Sequence, residues 1–466
     1  MPLIVRSSKF RHVFGKKVKP ELEYQDLQPS LNTWDTNKLT SNGKFIGVVW
    51  EARGGGSFAV IPYERTGKLP HNLPVINGHS SCVLDLEFHP FKADVIASSS
   101  EDCTAKLWRV SQNNLDTSAD CLVTLDTHQR PVGGLAFNPV ADNVLATSSN
   151  DYLVKLWDVE TGQEKLNLDQ HSAIIQSMSW NYAGNSLATY SKDKKIRIFD
   201  PRSGSVLEAN GHVGPKGARV TFLGDLSLLA SVGFGRGSER QLWVWDPRAL
   251  KEPLAKKSMD HASGLMMPFY DNDTSILYLA GKGDGNIRYF EMEGSDPYLH
   301  FISQFQSTEP QQGMCMLPKL ALDTASCEIT RLLKLTKNCV QPISFVVPRK
   351  SSHFQDDIYP MTAAPKAALN SSEWFGGKSV DGPLKVSVKN PGDTPLAPKE
   401  SKVSVTQTNA SRAAGGGDAM TLKQLREENS QLTKRIAELE AELTQKVTRS
   451  EQSYKLFSHV LELAHR

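Results

Sequence analysis

The sequence predicts an all-β chain folded as a seven-bladed β-propeller. Three observations carry this expectation. An aspartate recurs six residues before an aromatic, each time at the end of a short strand-like run: Asp102 before Trp108, Asp151 before Trp157, Asp193 before Phe199 and Asp284 before Phe290. A histidine precedes three of those aromatics at His79, His128 and His171, and His212 precedes Trp245. The unit returns at roughly 40 to 50 residues, the period of four-stranded blades set in a ring.

Residues 78–108 define the unit. Gly78-His79 opens it, Val83 to Phe88 alternates as a strand, and His89-Pro90 turns. Val95 to Ser100 is a second strand, Glu101-Asp102 a tight turn, and Ala105 to Trp108 a third strand. Residues 127–158 repeat the order through His128, Leu145-Ala146-Thr147, Asn150-Asp151 and Trp157. A third copy runs through His171, Leu187-Ala188-Thr189, Asp193 and Phe199. This pattern resembles the WD repeat. The resemblance implies a buried tetrad in each blade: His79, Ser98, Asp102 and Trp108, then His128, Thr147, Asp151 and Trp157. The third blade supplies His171, Thr189 and Asp193, but Phe199 has no indole N–H. Each link satisfies a buried polar group whose loss costs about 1–3 kcal/mol. A catalytic triad would occur once and need an exposed nucleophile, whereas this set recurs, so the chain reads as no enzyme.

The remaining repeats are degraded. Glu239 replaces the turn aspartate in 212–246, and Ala280 replaces the hydroxyl in 261–290. Two irregular strand groups flank these five repeats. One is Phe45 to Trp50 with Phe58 to Pro62; the other is Tyr298 to Phe305, Glu328 to Thr336 and Ile343 to Val347. Five and two make seven, and the alternating Phe10, His12 and Phe14 are expected to close the ring, because an open blade edge would pair with other chains.

Net charge is +2, which identifies no partner. Its distribution says more. Residues 1–20 hold Arg6, Lys9, Arg11, Lys16, Lys17 and Lys19 with no acid, an arm suited to an acidic surface. There is no apolar leader of signal-peptide length and no membrane-spanning run. Cysteines 82, 103, 121, 315, 327 and 339 form no Cys-x-x-Cys pair and read as isolated buried thiols in a reducing compartment. The glycine-rich stretches 54–56, 233–237 and 281–285 lack the Lys-Ser/Thr of a phosphate loop and read as turns. No metal spacing and no cofactor motif is present, so no cofactor and no metal is expected.

Residues 1–349 are therefore assigned to the propeller. Residues 350–382, with Phe354, Tyr359, Trp374 and Phe375, are assigned to an extension packed on it. The Pro-, Ser- and Thr-rich stretch 383–420 reads as a flexible linker. From Thr421 a heptad seam follows: Leu425, Asn429, Leu432, Ile436, Leu439 and Leu443, a coiled coil over 421–466. Arg435 and Glu440 are placed to bridge neighbouring chains, and a trimer is the favoured state.

Several segments are more specific than any WD repeat: Val5-Arg-Ser-Ser-Lys-Phe-Arg-His-Val-Phe-Gly15, Gly54-Gly-Gly-Ser-Phe58, Met267-Pro-Phe-Tyr-Asp271, Leu279-Ala-Gly-Lys-Gly-Asp-Gly-Asn-Ile-Arg-Tyr289 and Phe354-Gln-Asp-Asp-Ile-Tyr-Pro360. Together with the order of propeller, linker and coil, they resemble the coronins. The resemblance implies a scaffold of the cytoplasmic cortex that binds filamentous actin. It also implies regulation of the actin-related-protein nucleating complex and cooperation with cofilin in filament turnover. Candidate filament contacts are Lys9, Arg11, Lys16, Lys17 and Lys19. Gln28, after Tyr24-Gln-Asp-Leu27, stands where many coronins carry a basic residue. A WD-repeat adaptor for trafficking or ubiquitin ligation is the alternative; nucleic acid is not an expected partner.

Overall fold

Asp102 sits where its spacing requires, in the turn joining Val95–Ser100 to Ala105–Asn113, two strands paired antiparallel with Ala105 opposite Ser99. Cys103 takes the left-handed conformation (φ 71°) that the tight turn needs. A computed structural model describes residues 7–113, 116–350 and 353–398. These residues fall within one compact unit, Met1–Val403.

Six sheets have four antiparallel strands. The first blade is Leu39–Ser41, Phe45–Val49, Ser57–Pro62 and Ile76–Asn77. The second begins at Val83–Phe88, the third at Val132–Phe137, the fourth at Ile175–Trp180, the fifth at Arg219–Phe222 and the sixth at Met266–Asp271. The seventh combines Gly313–Met316, Glu328–Leu335 and Cys339–Val346 with the N-terminal strand Phe14–Lys17. The seven innermost strands contact one another in order around a central channel. The middle strands Val95–Ser100 and Val144–Ser149 are buried throughout. Apolar clusters fill the gaps between blades: Ala97 and Leu107 of the second blade pack with Phe137, Leu145 and Trp157 of the third. At about 25 cal/mol per Å² of apolar surface removed from water, these inter-blade cores favour the closed ring.

Three expectations are corrected. The closing strand is Phe14–Lys17, and only Phe14 of the proposed trio lies in it. Phe10 is buried ahead of the strand, while His12 and Phe14 are exposed, so the alternation marked no common buried face. Leu299–Gln306 is the outer strand of the sixth blade, not part of the seventh. Cys82 and Cys103 are half-buried and Cys121 is exposed; only Cys315, Cys327 and Cys339 are buried.

The extension straps the underside of the ring. Tyr359 Oη donates to Glu328 O of the seventh blade at 2.9 Å. Thr362–Ala363 pairs with Lys385–Val386, so the boundary expected at 383 falls between the two strands of one small sheet. Leu369 N donates to Val140 O at 3.1 Å. Trp374, on the helix Ser371–Phe375, donates from Nε1 to Gly184 O of the fourth blade at 2.8 Å and meets Trp180 edge-on. The coiled-coil positions 421–466 and most of the linker lie outside the described residues.

Candidate functional site

The tetrads in the second and third blades are fully bonded. His79 Nδ1 lies 2.8 Å from Asp102 Oδ2, His79 Nε2 lies 2.7 Å from Ser98 Oγ, and Trp108 Nε1 donates to Ser98 Oγ at 2.8 Å. His128 makes the same contacts with Asp151 and Thr147 at 2.8 Å each, and Trp157 Nε1 donates to Thr147 Oγ1 at 2.9 Å. Ser98 is 0% exposed and already accepts from the indole, so it is no nucleophile. Asp102 and Asp151 resist burial because the imidazole and turn amides bond their charged forms. Asp102 is held well below the usual carboxylate range, and Asp151 is lowered to about 2.

The fourth blade departs from expectation. His171 Nε2 lies 2.9 Å from Thr189 Oγ1, but its Nδ1 has no partner. Arg197 Nη2 takes Asp193 at 2.8 Å, drawing the carboxylate away from the imidazole. Burial, aided by the Arg197 charge, lowers His171 to about 4. The fifth blade holds a partial set that the sequence reading missed: His212 Nε2 lies 3.0 Å from Ser231 Oγ, which accepts from Trp245 Nε1 at 2.9 Å. The signal was present, since Leu229-Ala230-Ser231 parallels Leu187-Ala188-Thr189.

The ring has two mouths. At the upper one, residues 30–38 plug the channel. Trp34 Nε1 donates to Gly133 O at 2.9 Å, Thr36 Oγ1 to Leu84 O at 2.5 Å, and Met314 N to Asn37 O at 3.2 Å. Arg219 donates to Asn37 Oδ1 and Asp35 O, and Lys282 Nζ to Trp34 O at 3.2 Å. Two glycines admit the plug: a Cβ on Gly133 would lie 2.4 Å from the Trp34 ring, and one on Gly313 would lie 2.1 Å from Asn37 O. The lower mouth is a cavity of about 880 Å³ bordered by Glu87, Tyr270 and Lys319, with Thr362–Ala363 of the strap along it.

The N-terminal arm runs along the edge of the seventh blade. One strand, Cys339–Val346, pairs with Phe14–Lys17 at one end and with Tyr24–Gln25 at the other. Lys17 faces Ile343 and Gln25 faces Cys339, about 13 Å apart at strand rise. Arg11, Lys16, Lys19 and Gln28 are exposed. Lys17 is neutralised by Glu23 at 2.9 Å and Glu309 at 3.5 Å, and Lys9 Nζ donates to Asp357 O at 2.9 Å.

Residues 70–109, 119–158 and 162–200 match the WD domain, G-beta repeat. Residues 340–381 match a type of WD40 repeat, and 3–68 match a domain of unknown function (DUF1899). The chain is 47% identical to Coronin-A of Dictyostelium discoideum, over 96% of this chain and 98% of that protein. The chain belongs to the coronin family. It is also 40% identical to the coronin-like protein of Saccharomyces cerevisiae, over 83% of this chain and 61% of that one. The WD40 domain of Toxoplasma gondii coronin superposes with a TM-score of 0.77 at 29% identity, covering 81% of this chain and 97% of that one. Among the described residues of this coronin, no group of His, Cys, Asp and Glu could hold a metal ion, and no helix is long and apolar enough to cross a membrane.

Proposed function

We propose that this coronin is an actin-filament-binding scaffold of the cell cortex, working through the outer edge of its seventh blade. The observation that carries this is the shared strand Cys339–Val346, along which the basic arm and the Tyr24–Leu27 segment both lie. Arg11, Lys16 and Lys19 present positive charge there without an ion pair among the described residues, and Phe14, 51% exposed, lies among them. An acidic filament surface fits such a strip. Lys9 and Lys17 serve mainly to hold the arm in place. Gln28, past the end of the shared strand and bonded through its carbonyl to Glu51 N of the first blade at 2.8 Å, supplies a neutral contact at that end. Regulation of the actin-related-protein nucleating complex, cooperation with cofilin and trimerisation through 421–466 complete the reading. Co-sedimentation with filamentous actin tests it: the chain pellets with filaments and releases as salt rises. A chain that stays in the supernatant at low salt refutes it.

A further inference from the structure

The channel wall repeats as the blades do. Leu86, Leu135, Met178 and Val220 occupy one register, each opposite a tetrad hydroxyl position: Ser98, Thr147, Thr189 and Ser231. The residues just before them are Asp85, Gly134, Ser177 and Arg219; those just after are Glu87, Ala136, Ser179 and Thr221. In the second blade, Asp85 and Glu87 accept the N–H groups of Leu135 and Phe137 at 3.4 and 3.1 Å. In the fourth, Ser177 and Ser179 accept those of Val220 and Phe222, both at 3.1 Å. The third and fifth blades depart from this: Arg219 cannot accept from the sixth blade, and Gly134 and Ala136 offer the fourth no side-chain acceptor.

That vacancy opens into a cavity of about 550 Å³ beside the plug, bordered by Gly134, Ser177, Met178, Lys192 and Arg219. Arg219 is 8% exposed. Two of its nitrogens donate to uncharged acceptors, Asn37 Oδ1 and Asp35 O, and its Nε has no partner. An unpaired buried donor costs about 1–3 kcal/mol, and a charged acceptor is about twice as strong as a neutral one. Lys38 and Lys282 add positive charge under the plug, against Asp35, Asp85 and Glu101 on the cavity wall, and Lys282 lies 3.6 Å from Asp35. Lys192 is exposed on the rim without an ion pair among the described residues. Burial pushes Asp85 up to about 7, but it also brings Lys282 down to about 7 and lowers Lys38, so these shifts offset one another near neutrality and Arg219 and Lys192 are the cations that count.

We propose that this cavity is a subsite for a carboxylate side chain on an acidic partner segment. The carboxylate takes at Gly134 the place that Asp85 holds one blade earlier, facing the Met178 N–H and lying beside the Arg219 guanidinium. Lys192 meets a second acid at the rim. The proposal is independent of filament binding and concerns a different face of the ring.

The test is fluorescence anisotropy of a labelled hexaglutamate peptide with the full chain. Saturable binding is expected, with hexalysine inert. Lys192→Glu weakens binding at least tenfold. Gly134→Asp supplies the carboxylate in place and abolishes binding while its melting temperature stays at or above the parent's; its Cβ meets only the Ser148 hydroxyl within 3 Å. No saturable binding, or equal binding by the parent and both folded variants, overturns the proposal. Displacement of the peptide by inorganic phosphate at lower concentration than by acetate overturns the assignment to a carboxylate.

Discussion

Glu87 Oε2 accepts the backbone N–H of Phe137 at 3.1 Å, so one blade supplies an acceptor that the next blade's innermost strand needs. Innermost strands have a sheet partner on one side only, and their other edge carries polar groups that must be satisfied. Ser179 does the same for Phe222. The seams between blades are therefore polar on the channel side and apolar outside it.

The first prediction concerns these seams. Ser179→Ala leaves the Phe222 N–H without its acceptor and should cost about 1–2 kcal/mol. Glu87→Gln keeps an acceptor and removes the titrating group. Burial and the neighbouring Asp85 push the Glu87 carboxyl well up, so the folded chain holds this proton more tightly than the unfolded one. Its stabilising contribution is present below the unfolded value and lost as pH rises through the folded one. Glu87→Gln should therefore melt at or above the parent at pH 7. A melting temperature clearly below the parent's would show that the charge itself is needed.

The second prediction concerns His171 and His212. Each has an Nδ1 without a partner, and burial lowers each to about 4 from 6.5. The unfolded chain takes these protons first, so stability is full above about pH 6.5 and falls as pH drops toward 4, by at most about 3 kcal/mol per histidine. Asp102 and Asp151 act lower. Their depressed values give stability that is present above about pH 4 and lost as pH falls toward 2. Acid melting should thus proceed in two ranges, and His171→Gln should flatten the upper one. An unchanged slope between pH 6.5 and 4 would rule out His171 as a contributor.

The ring was legible in the sequence because its turns are local. Asp102 and Asp151 are each bound by their blade's own histidine and turn amides, and these residues sit at fixed offsets. What was not legible depends on contacts between repeats. Nothing near Asp193 says that Arg197 will take its carboxylate, because an arginine four residues on is common on strands and turns alike. The plug at Trp34 is set by Gly133 and Gly313, distant from it in sequence. Phe354 to Phe375 announced a packed extension by their aromatic content, but not its path from Glu328 to Gly184. Gly134 and Ala136 look like unremarkable small strand residues until the neighbouring blades show what stands in their register. The candidate filament contacts were found as a charge pattern, and pattern alone could not separate paired Lys17 from unpaired Lys16.

That separation gives the third prediction. Lys16→Glu with Lys19→Glu should weaken filament co-sedimentation several-fold and leave the melting temperature unchanged. Exposed charges are screened over about 8–10 Å near physiological salt, so the parent's binding should fall with added salt more steeply than the variant's. Lys17→Glu should behave differently: it sets a third acid against Glu23 and Glu309 and should lower the melting temperature. Equal pelleting by the parent and the double variant would remove the arm from the contact.

The strap gives a fourth. Trp374 is 1% exposed, bonds Gly184 and carries Arg202 over its ring at 5.1 Å. Trp374→Ala should cost about 3–5 kcal/mol, the range for deleting a large buried aromatic. Limited proteolysis should then cut between residues 363 and 385, where the parent resists. A parent-like digest and melt would mean that the strap is held from its other anchors alone.

The last prediction concerns assembly and rests on the heptads. In the heptads read from the sequence, Leu425, Leu432, Ile436, Leu439 and Leu443 are expected at seam positions, and Asn429 at one of them is expected to set register while allowing two or three strands. Arg435 precedes that seam isoleucine and Glu440 follows the next leucine, so in a parallel coil the two can bridge neighbouring chains. These features favour a trimer. Three propellers on linkers would raise avidity for a repetitive filament by roughly 10² or more, provided the linkers span neighbouring sites. Truncation before Thr421 should give a monomer that melts like the parent's propeller but holds filaments far less well. Light scattering on the full chain decides the stoichiometry: a dimer or tetramer mass refutes the trimer and leaves the coil standing. Co-sedimentation of the truncated chain decides the avidity. If it binds as tightly as the full chain, one propeller carries the whole affinity, and the coil is then better sought as a docking element for the nucleating complex.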